Sequence, residues 1–300
     1  LAWMLRRTRL GRLHGGSEER FVETARGPVD AWRDRQAAHA ARSRPLAPWD
    51  GETLLLGHDD RGHVLRLPPP RAHVTIVGGS NSGKTNSAEV LLEAEVARGA
   101  GFIVLDGKGG RELPQAALIL GARYERPVAL WSVRPYGDPV LDAHRRPWNV
   151  LGEGDPTELK DRIASSEDQT EPYYRAIASR GLLIATTALQ QRPSTRLDEL
   201  ASLLERPADL AASLASRDSE RHAADISWLE SLSEPERSGL RGMGLRLRTM
   251  VSGTGGDALL PCPEGHDIRL RLAMEQGHLT VFSLPQGLYP ELIPHVARYL

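Results

Sequence analysis

His73-Val74-Thr75-Ile76-Val77-Gly78-Gly79-Ser80-Asn81-Ser82-Gly83-Lys84-Thr85 decides how the chain is read. The last eight residues satisfy G-x-x-x-x-G-K-[S/T] at every position. An apolar run, predicted to be a buried strand over His73–Val77, stands directly before them, and Asn86–Arg98 has helical composition directly after. Gly78, Gly79 and Gly83 let the main chain curl. The N–H groups of Ser80, Asn81 and Ser82, with those of the helix N-terminus, then face a phosphate. Lys84 is placed to reach the β- and γ-phosphates of a nucleotide, and the Thr85 hydroxyl to ligate magnesium. A plain Gly/Ser turn is the alternative, and it leaves the Lys-Thr pair unexplained.

The basic residues sharpen that reading. The chain has 35 Arg and three Lys, namely Lys84, Lys108 and Lys160. A composition that uses Arg wherever it serves leaves Lys where a guanidinium does not fit. Lys84 and Lys108 both stand beside glycines in the most motif-like parts of the chain.

Outward from the loop, the helix is expected over about 84–98, closed by Gly99. A second buried strand, Phe102–Leu105, ends at Asp106 and runs into Gly107-Lys108-Gly109-Gly110. At the carboxyl edge of a parallel sheet Asp106 faces the nucleotide crevice, as part of a magnesium shell or a sensor of the γ-phosphate. Capping of the Gly107–Gly110 turn is its other reading. Residues 127–133 make a third apolar run, and 53–57 with 63–67 flank Asp59-Asp60-Arg61-Gly62 as a hairpin. This alternation predicts an α/β fold with a parallel sheet covered by helices.

The texture changes after about residue 156: no convincing strand appears until 278–283, and the intervening stretches are helical, including Tyr174–Gln190, Leu197–Glu205 and Leu240–Met250. The expected organisation is an N-terminal helical segment at 1–50, the first part of a nucleotide-binding domain at 51–155, an all-α insertion at 156–262, and a return to the nucleotide-binding domain at 263–300. The strand at 278–283 ends Ser283-Leu284-Pro285, without the Asp-Glu pair that polarises an attacking water.

Composition narrows the remaining choices. Of 300 residues, 40% are hydrophobic and 26% charged, the balance of a globular chain of one or two domains. Apolar runs fall far short of the roughly 18–20 residues of a membrane span. One cysteine, Cys262, excludes an internal disulfide framework and fits a reducing compartment. The net charge of −1 argues for no polyanion partner globally, although a locally basic channel depends only on where the charges sit. The ten histidines form no metal-binding pattern. Arg241, Arg246 and Arg248 read either as phosphate contacts or as a solvated helix face, and Trp131, Trp148 and Trp228 as base-stacking or core residues. The apolar start followed by Arg6, Arg7, Arg9 and Arg12 reads as the cytoplasmic flank of an upstream membrane span, or as a basic amphipathic start.

These motifs together resemble the TraG/TraD-type coupling ATPases of conjugative and type IV secretion systems, within the HerA/FtsK superfamily of motors. The likeness begins at Leu54-Leu55-Leu56-Gly57-His58-Asp59 with Gly62 and continues through His73–Thr85. Val104-Leu105-Asp106-Gly107-Lys108-Gly109 matches a stretch that is usually Asp-Pro-Lys-Gly in the family, so Gly107 departs from it. Trp148-Asn149-Val150-Leu151 resembles the family's aromatic-Asn-Pro-Leu element, with Val150 in place of Pro. Glu171-Pro172-Tyr173-Tyr174 opens a helical stretch like its all-α insertion, and His278–Pro285 with Tyr289 is similar to the segment before its Walker B strand. The resemblance spans about 50–300, and only the phosphate loop within it is highly specific.

The resemblance implies a RecA-like P-loop NTPase that binds ATP and Mg2+ and works as a hexamer. It implies anchoring by upstream helices on the cytoplasmic face of a bacterial cell membrane. Partners would be DNA, single- or double-stranded, relaxase-type substrate proteins and type IV secretion channel components. The family's Walker B carboxylates and trans-acting arginine would lie past Leu300, so the 300 residues alone are expected to be monomeric. Two other readings stay open: a HerA-like or secretion-type ATPase acting on protein, and a nucleotide-binding ring subunit without turnover.

Overall fold

Backbone pairing among the described residues resolves into two sheets, one antiparallel and one parallel. The computed structural model describes residues 46–59, 62–69, 73–79, 82–166, 171–190, 195–262 and 265–300. The expectation about the arginines near the N-terminus lies outside these residues. Contacts divide the chain between Ala100 and Gly101 into two units.

In the first unit, β1 (Leu54–His58) and β2 (Val64–Leu67) form an antiparallel hairpin. The Asp59 amide donates to the His63 carbonyl at 2.9 Å, and the Gly62 amide to the Asp59 carbonyl at 3.1 Å, closing the turn expected there. The register slips between Leu55 and Gly57, where Gly57 takes φ 134, a value that a side chain disfavours. Arg66 ties the hairpin to the preceding segment, reaching the Ala47 and Thr53 carbonyls and the Asp50 carboxylate. Asp50 also accepts from the Glu52 and Thr53 amides, and these hydrogen bonds, more than Arg66, hold its carboxyl at about 2. Helix α1 (Lys84–Ala97) packs on β1 and buries Ala94 and Val96; Gly99, at φ 98, ends it where expected.

The strand expected over His73–Val77 is not formed. The segment has no ladder partner among the described residues, and Val74 and Val77 are 56% and 66% exposed. An apolar run becomes a strand only when a neighbour takes up its N–H and C=O groups. Its composition alone supplies no such neighbour.

In the second unit, β3 (Phe102–Asp106), β4 (Val128–Ser132) and β5 (Leu279–Ser283) form a parallel sheet in the order β3-β5-β4. The register pairs Asp106 and Ser132 with Ser283, so all three strands end in line. The fold is therefore mixed α/β with a parallel sheet. β5 is buried along its whole length, as a central parallel strand should be. Side-chain alternation sorts its residues between two cores. Val281 packs with Leu130, Ala117 and Leu141 beneath α2 (Glu112–Tyr124) and the short α3 (Pro139–Ala143). Phe282 packs on the opposite side with Trp131, Trp148 and the helical part of the unit.

That helical part comprises α4 (Pro156–Ala164), α5 (Pro172–Gln190), α6 (Leu197–Glu205), α7 (Pro207–Asp218), α8 (Ala223–Ser231) and α9 (Glu234–Ser252). No strand interrupts these helices among the described residues. A 3-10 turn (Gly256–Leu259), α10 (Leu270–Glu275), β5 and α11 (Leu292–Tyr299) complete the order. Reciprocal capping boxes start α4 (Asp155 with Glu158) and α9 (Ser233 with Glu236). α6 and α9 pack closely because position 244 is glycine: a Cβ there would stand 2.7 Å from the Ala201 carbonyl oxygen and 2.8 Å from the Glu205 nitrogen. Backbone cannot swing aside as a side-chain tip can. Gly244→Val is expected to cost about 1–3 kcal/mol through overpacking, read as a lower urea midpoint with unchanged m-value. An unchanged midpoint would show the two helices to be loosely joined.

Candidate nucleotide site

The phosphate-loop residues lie in the first unit. Gly78, Gly79, Ser82, Gly83, Lys84 and Thr85 are described, whereas Ser80 and Asn81 fall outside the described residues. Gly83 adopts φ 81 and ψ 18, the left-handed conformation that only glycine takes at little cost, and it caps α1. The Ser87 amide, 3.0 Å from the Gly83 carbonyl, starts the helical ladder. The N–H groups of the turn before it therefore have no intrahelical acceptor. No acidic residue stands in the first turn of α1, so nothing there competes with an anion for those groups.

Lys84 bends back over the loop. Its Nζ donates to the carbonyl oxygens of Gly78 at 2.9 Å and Gly79 at 2.6 Å, and the Ser82 amide makes a longer contact, 3.4 Å, with the Gly79 carbonyl. One ammonium thus holds both ends of the curl together. An ammonium has three donors and a flexible stem, so it can exchange carbonyl oxygens for phosphate oxygens without the helix moving. Thr85 is half-buried on the first turn of α1, and its hydroxyl has no hydrogen-bond partner among the described residues. A single hydroxyl on a helix turn that carries no acidic residue suits magnesium, which keeps several waters and takes further oxygens from phosphates. No cluster of three or more His, Cys, Asp or Glu that could hold a metal exists among the described residues.

Asp106 belongs to the second unit, at the carboxyl end of β3. It is buried, and both its oxygens are used: Oδ1 accepts from the Lys108 amide and Oδ2 from the Gly110 amide, each at 3.0 Å. Gly109 closes this turn at φ 64, against Pro285. The carboxylate therefore caps the Gly107–Gly110 turn. An oxygen shared with a metal would have to bind it on its remaining lone pairs.

Other residues singled out from the sequence fall into place. Trp131 and Trp148 are core residues, 0% and 2% exposed, with ring centroids 5.7 Å and 5.5 Å from that of Phe282. The Trp131 indole N–H reaches the Ala258 carbonyl at 2.8 Å. Trp228 lies under the Arg180 guanidinium, 4.5 Å from its ring centroid. Arg241 pairs with Glu234 at 2.9 Å and Arg248 with Glu205 at 2.6 Å, so carboxylates of the chain itself hold these two cations. Asn149, in the element Trp148–Leu151, joins two loops: its amide nitrogen donates to the Thr195 carbonyl and its oxygen accepts from the Leu151 amide. Cys262 is a half-buried free thiol.

A feature that sequence reasoning missed lies at the carboxyl edge of the parallel sheet. There the turns after β3, β4 and β5 enclose a cavity of about 710 Å3. Its lining includes Lys108, Arg111, Arg134, Tyr136, Ser283 and Pro285, and no carboxylate. The Tyr136 hydroxyl bonds the Ser283 hydroxyl at 2.8 Å; burial pushes its pKa up, an effect that bond partly offsets. Each cation follows the end of a strand, which is the signal the sequence offered. Only the strand order brings them together.

No protein-family model matches the chain, and no curated protein matches it. Among solved structures, it is similar to the bacterial conjugative coupling protein TrwBdeltaN70 in an unbound monoclinic form, with 14% identity, 74% of this chain and 47% of that chain covered, and a TM-score of 0.45. It is also similar to the plasmid coupling protein TrwB in complex with the non-hydrolysable GTP analogue GDPNP, with 15% identity, coverage of 73% and 49%, and a TM-score of 0.42. A third is TrwB in complex with ADP and Mg2+, with 14% identity, coverage of 72% and 48%, and a TM-score of 0.42. The chain spans about half the length of these structures. No helix among the described residues is long and apolar enough to cross a membrane.

Proposed function

We propose that this chain is the nucleotide-binding part of an ATP-driven motor of the conjugative coupling type, which moves DNA, or DNA bound to a relaxase-type protein, towards a membrane channel. The observation that carries the nucleotide part is the bent loop, with the Lys84 ammonium on the Gly78 and Gly79 carbonyls and α1 opening directly behind it. In the proposed complex the ammonium moves onto the β- and γ-phosphates, the loop amides and the N-terminus of α1 take the remaining oxygens, and the Thr85 hydroxyl reaches magnesium. Magnesium supplies charge neutralisation at the phosphates. Assembly into a hexamer, anchoring through helices upstream on the cytoplasmic face of the cell membrane, and DNA as cargo come from the sequence resemblance.

The deciding measurement is ATP turnover of the full-length protein with single-stranded DNA, double-stranded DNA or an unfolded protein added. DNA is expected to raise turnover several-fold, and Lys84→Ala to abolish it. Turnover raised by unfolded protein and unchanged by DNA would overturn the DNA-moving function and favour a protein-directed motor.

A further inference from the structure

Helix α10 (Leu270–Glu275) is six residues long and leads through a turn at Gly277 into the central strand β5. Its own sequence does little to hold it, and a helix this short is marginal in water. Arg269, just before it, gives no side-chain cap. Only Ala273 is buried, whereas Leu272 and Met274 are 36% and 72% exposed. The cap comes from 117 residues earlier in the chain: Glu153 Oε2 accepts from the Leu270 amide at 2.6 Å and, at 3.4 Å, from the Arg271 amide. A carboxylate there satisfies donors that the helix itself cannot and faces the positive end of its dipole.

Glu153 belongs to the connection that carries the chain from the sheet into the helical part, and α4 grips that connection. The Arg162 guanidinium donates to the Val150 carbonyl at 2.6 Å and to the Glu153 carbonyl at 2.9 Å. Glu158, also on α4, pairs with Arg271 at 2.6 Å. The other end of α10 is tied to the sheet. The His278 amide donates to the Ala273 carbonyl at 2.8 Å, and the His278 carbonyl accepts from the Phe102 amide at 3.1 Å, where β3 begins. The turn passes so close to Gly101 that a Cβ there would strike the backbone of Gly277 and His278. α10 is thus a weakly packed piece between two firm attachments, and segments with few buried apolar contacts open first.

We propose that α10 is a conformational relay between the helical part and the central strand: it is helical while Glu153 caps it and frays when a shift of the helical part draws that carboxylate away, which loosens the amino end of β5. Glu153 and α10 bias one equilibrium, so loosening either must loosen the other. No residue of the first unit takes part, so the relay does not rest on the nucleotide reading.

Hydrogen exchange of the 300-residue chain, read by mass spectrometry, tests the relay from both ends. Glu153→Ala is expected to speed exchange of the amides of α10 and of His278 about fivefold, the loss of one cap. Glu153→Gln, which keeps an acceptor oxygen, is expected to speed it less, and exchange in α6 and α9 to stay as it is. Met274→Gly, on the exposed face, loosens α10 through helix propensity without touching Glu153, and is expected to speed exchange at Leu151, Gly152 and Asp155 about twofold. The proposal is overturned if Glu153→Ala leaves α10 or His278 unchanged, if it speeds α6 and α9 as much as α10, or if Met274→Gly leaves the connection at 151–155 unchanged. Should Glu153→Ala fail to fold, the Met274→Gly comparison decides by itself.

Discussion

Lys84→Ala is expected to weaken binding of ATP with magnesium by about 100-fold, the equivalent of about 2.7 kcal/mol. Hydrogen bonds to charged groups contribute about 1.5–3 kcal/mol each. In the free protein the ammonium already holds two carbonyl oxygens, so nucleotide binding exchanges partners. The gain is the difference between a cation facing dipoles and the same cation facing phosphate charge. That difference is large because the phosphate oxygens carry formal charge and the first turn of α1 holds no acid to offset the field. Removing the side chain also frees the Gly78 and Gly79 carbonyls, so the loop loses its clasp and samples open shapes before a ligand arrives. Folding stability should move little, since both hydrogen bonds of the ammonium end on an exposed loop. Calorimetric titration of wild type and variant, beside a thermal melt of each, checks both halves. Equal affinities would remove the phosphate site, and with it the motor reading.

How much of this was legible depended on the distance over which each feature is decided. The bend at Gly83 and the start of α1 are local: a glycine in a left-handed conformation followed by helix formers needs no distant partner, and both stand where the motif put them. The caps of α4 and α9 are local in the same sense, set by Asp155 with Glu158 and Ser233 with Glu236. His73–Val77 shows the opposite case. Its residues favour a strand, yet strands are made by pairing, and composition carries no information about who pairs with whom. β5 was recognisable from Leu279–Ser283, but its place between β3 and β4 was not, because its partners lie about 150–180 residues earlier.

The same limit hid the cationic cavity. Lys108 is one of three lysines in the chain, whereas Arg134 is one of 35 arginines. The shared register of three strand ends puts the turns that carry them side by side. Asp106 had two legible roles, magnesium contact and turn cap. The choice lay in whether the Lys108 and Gly110 amides point at its oxygens, a matter of turn geometry. The tryptophans were undecided for a related reason: burial of Trp131 and Trp148 depends on Phe282, a residue far along the chain that packs against both.

Phe282 is accordingly the position where truncation should cost the second unit most. It is fully buried on the central strand, between the Trp131 ring at 5.7 Å and the edge-on Trp148 ring at 5.5 Å. Phe→Ala in such a core costs about 3–5 kcal/mol, part from lost transfer energy and part from the cavity left behind. The upper half of that range is expected here. Two indole rings are too stiff to collapse into the gap, and Trp131 is further held by its hydrogen bond to the Ala258 carbonyl. The backbone of β5 cannot shift inward either, because it is paired on both sides. For a unit of this size each kcal/mol moves the melting temperature by roughly 2–4 °C, so Phe282→Ala should lower it by roughly 10 °C or more. Phe282→Leu, which refills most of the volume, should recover at least half of that loss. Differential scanning calorimetry of the three proteins is the check. A fall of only a degree or two in the alanine variant would mean that the aromatic cluster is not the keystone between sheet and helices, and that the helical part holds itself together without it.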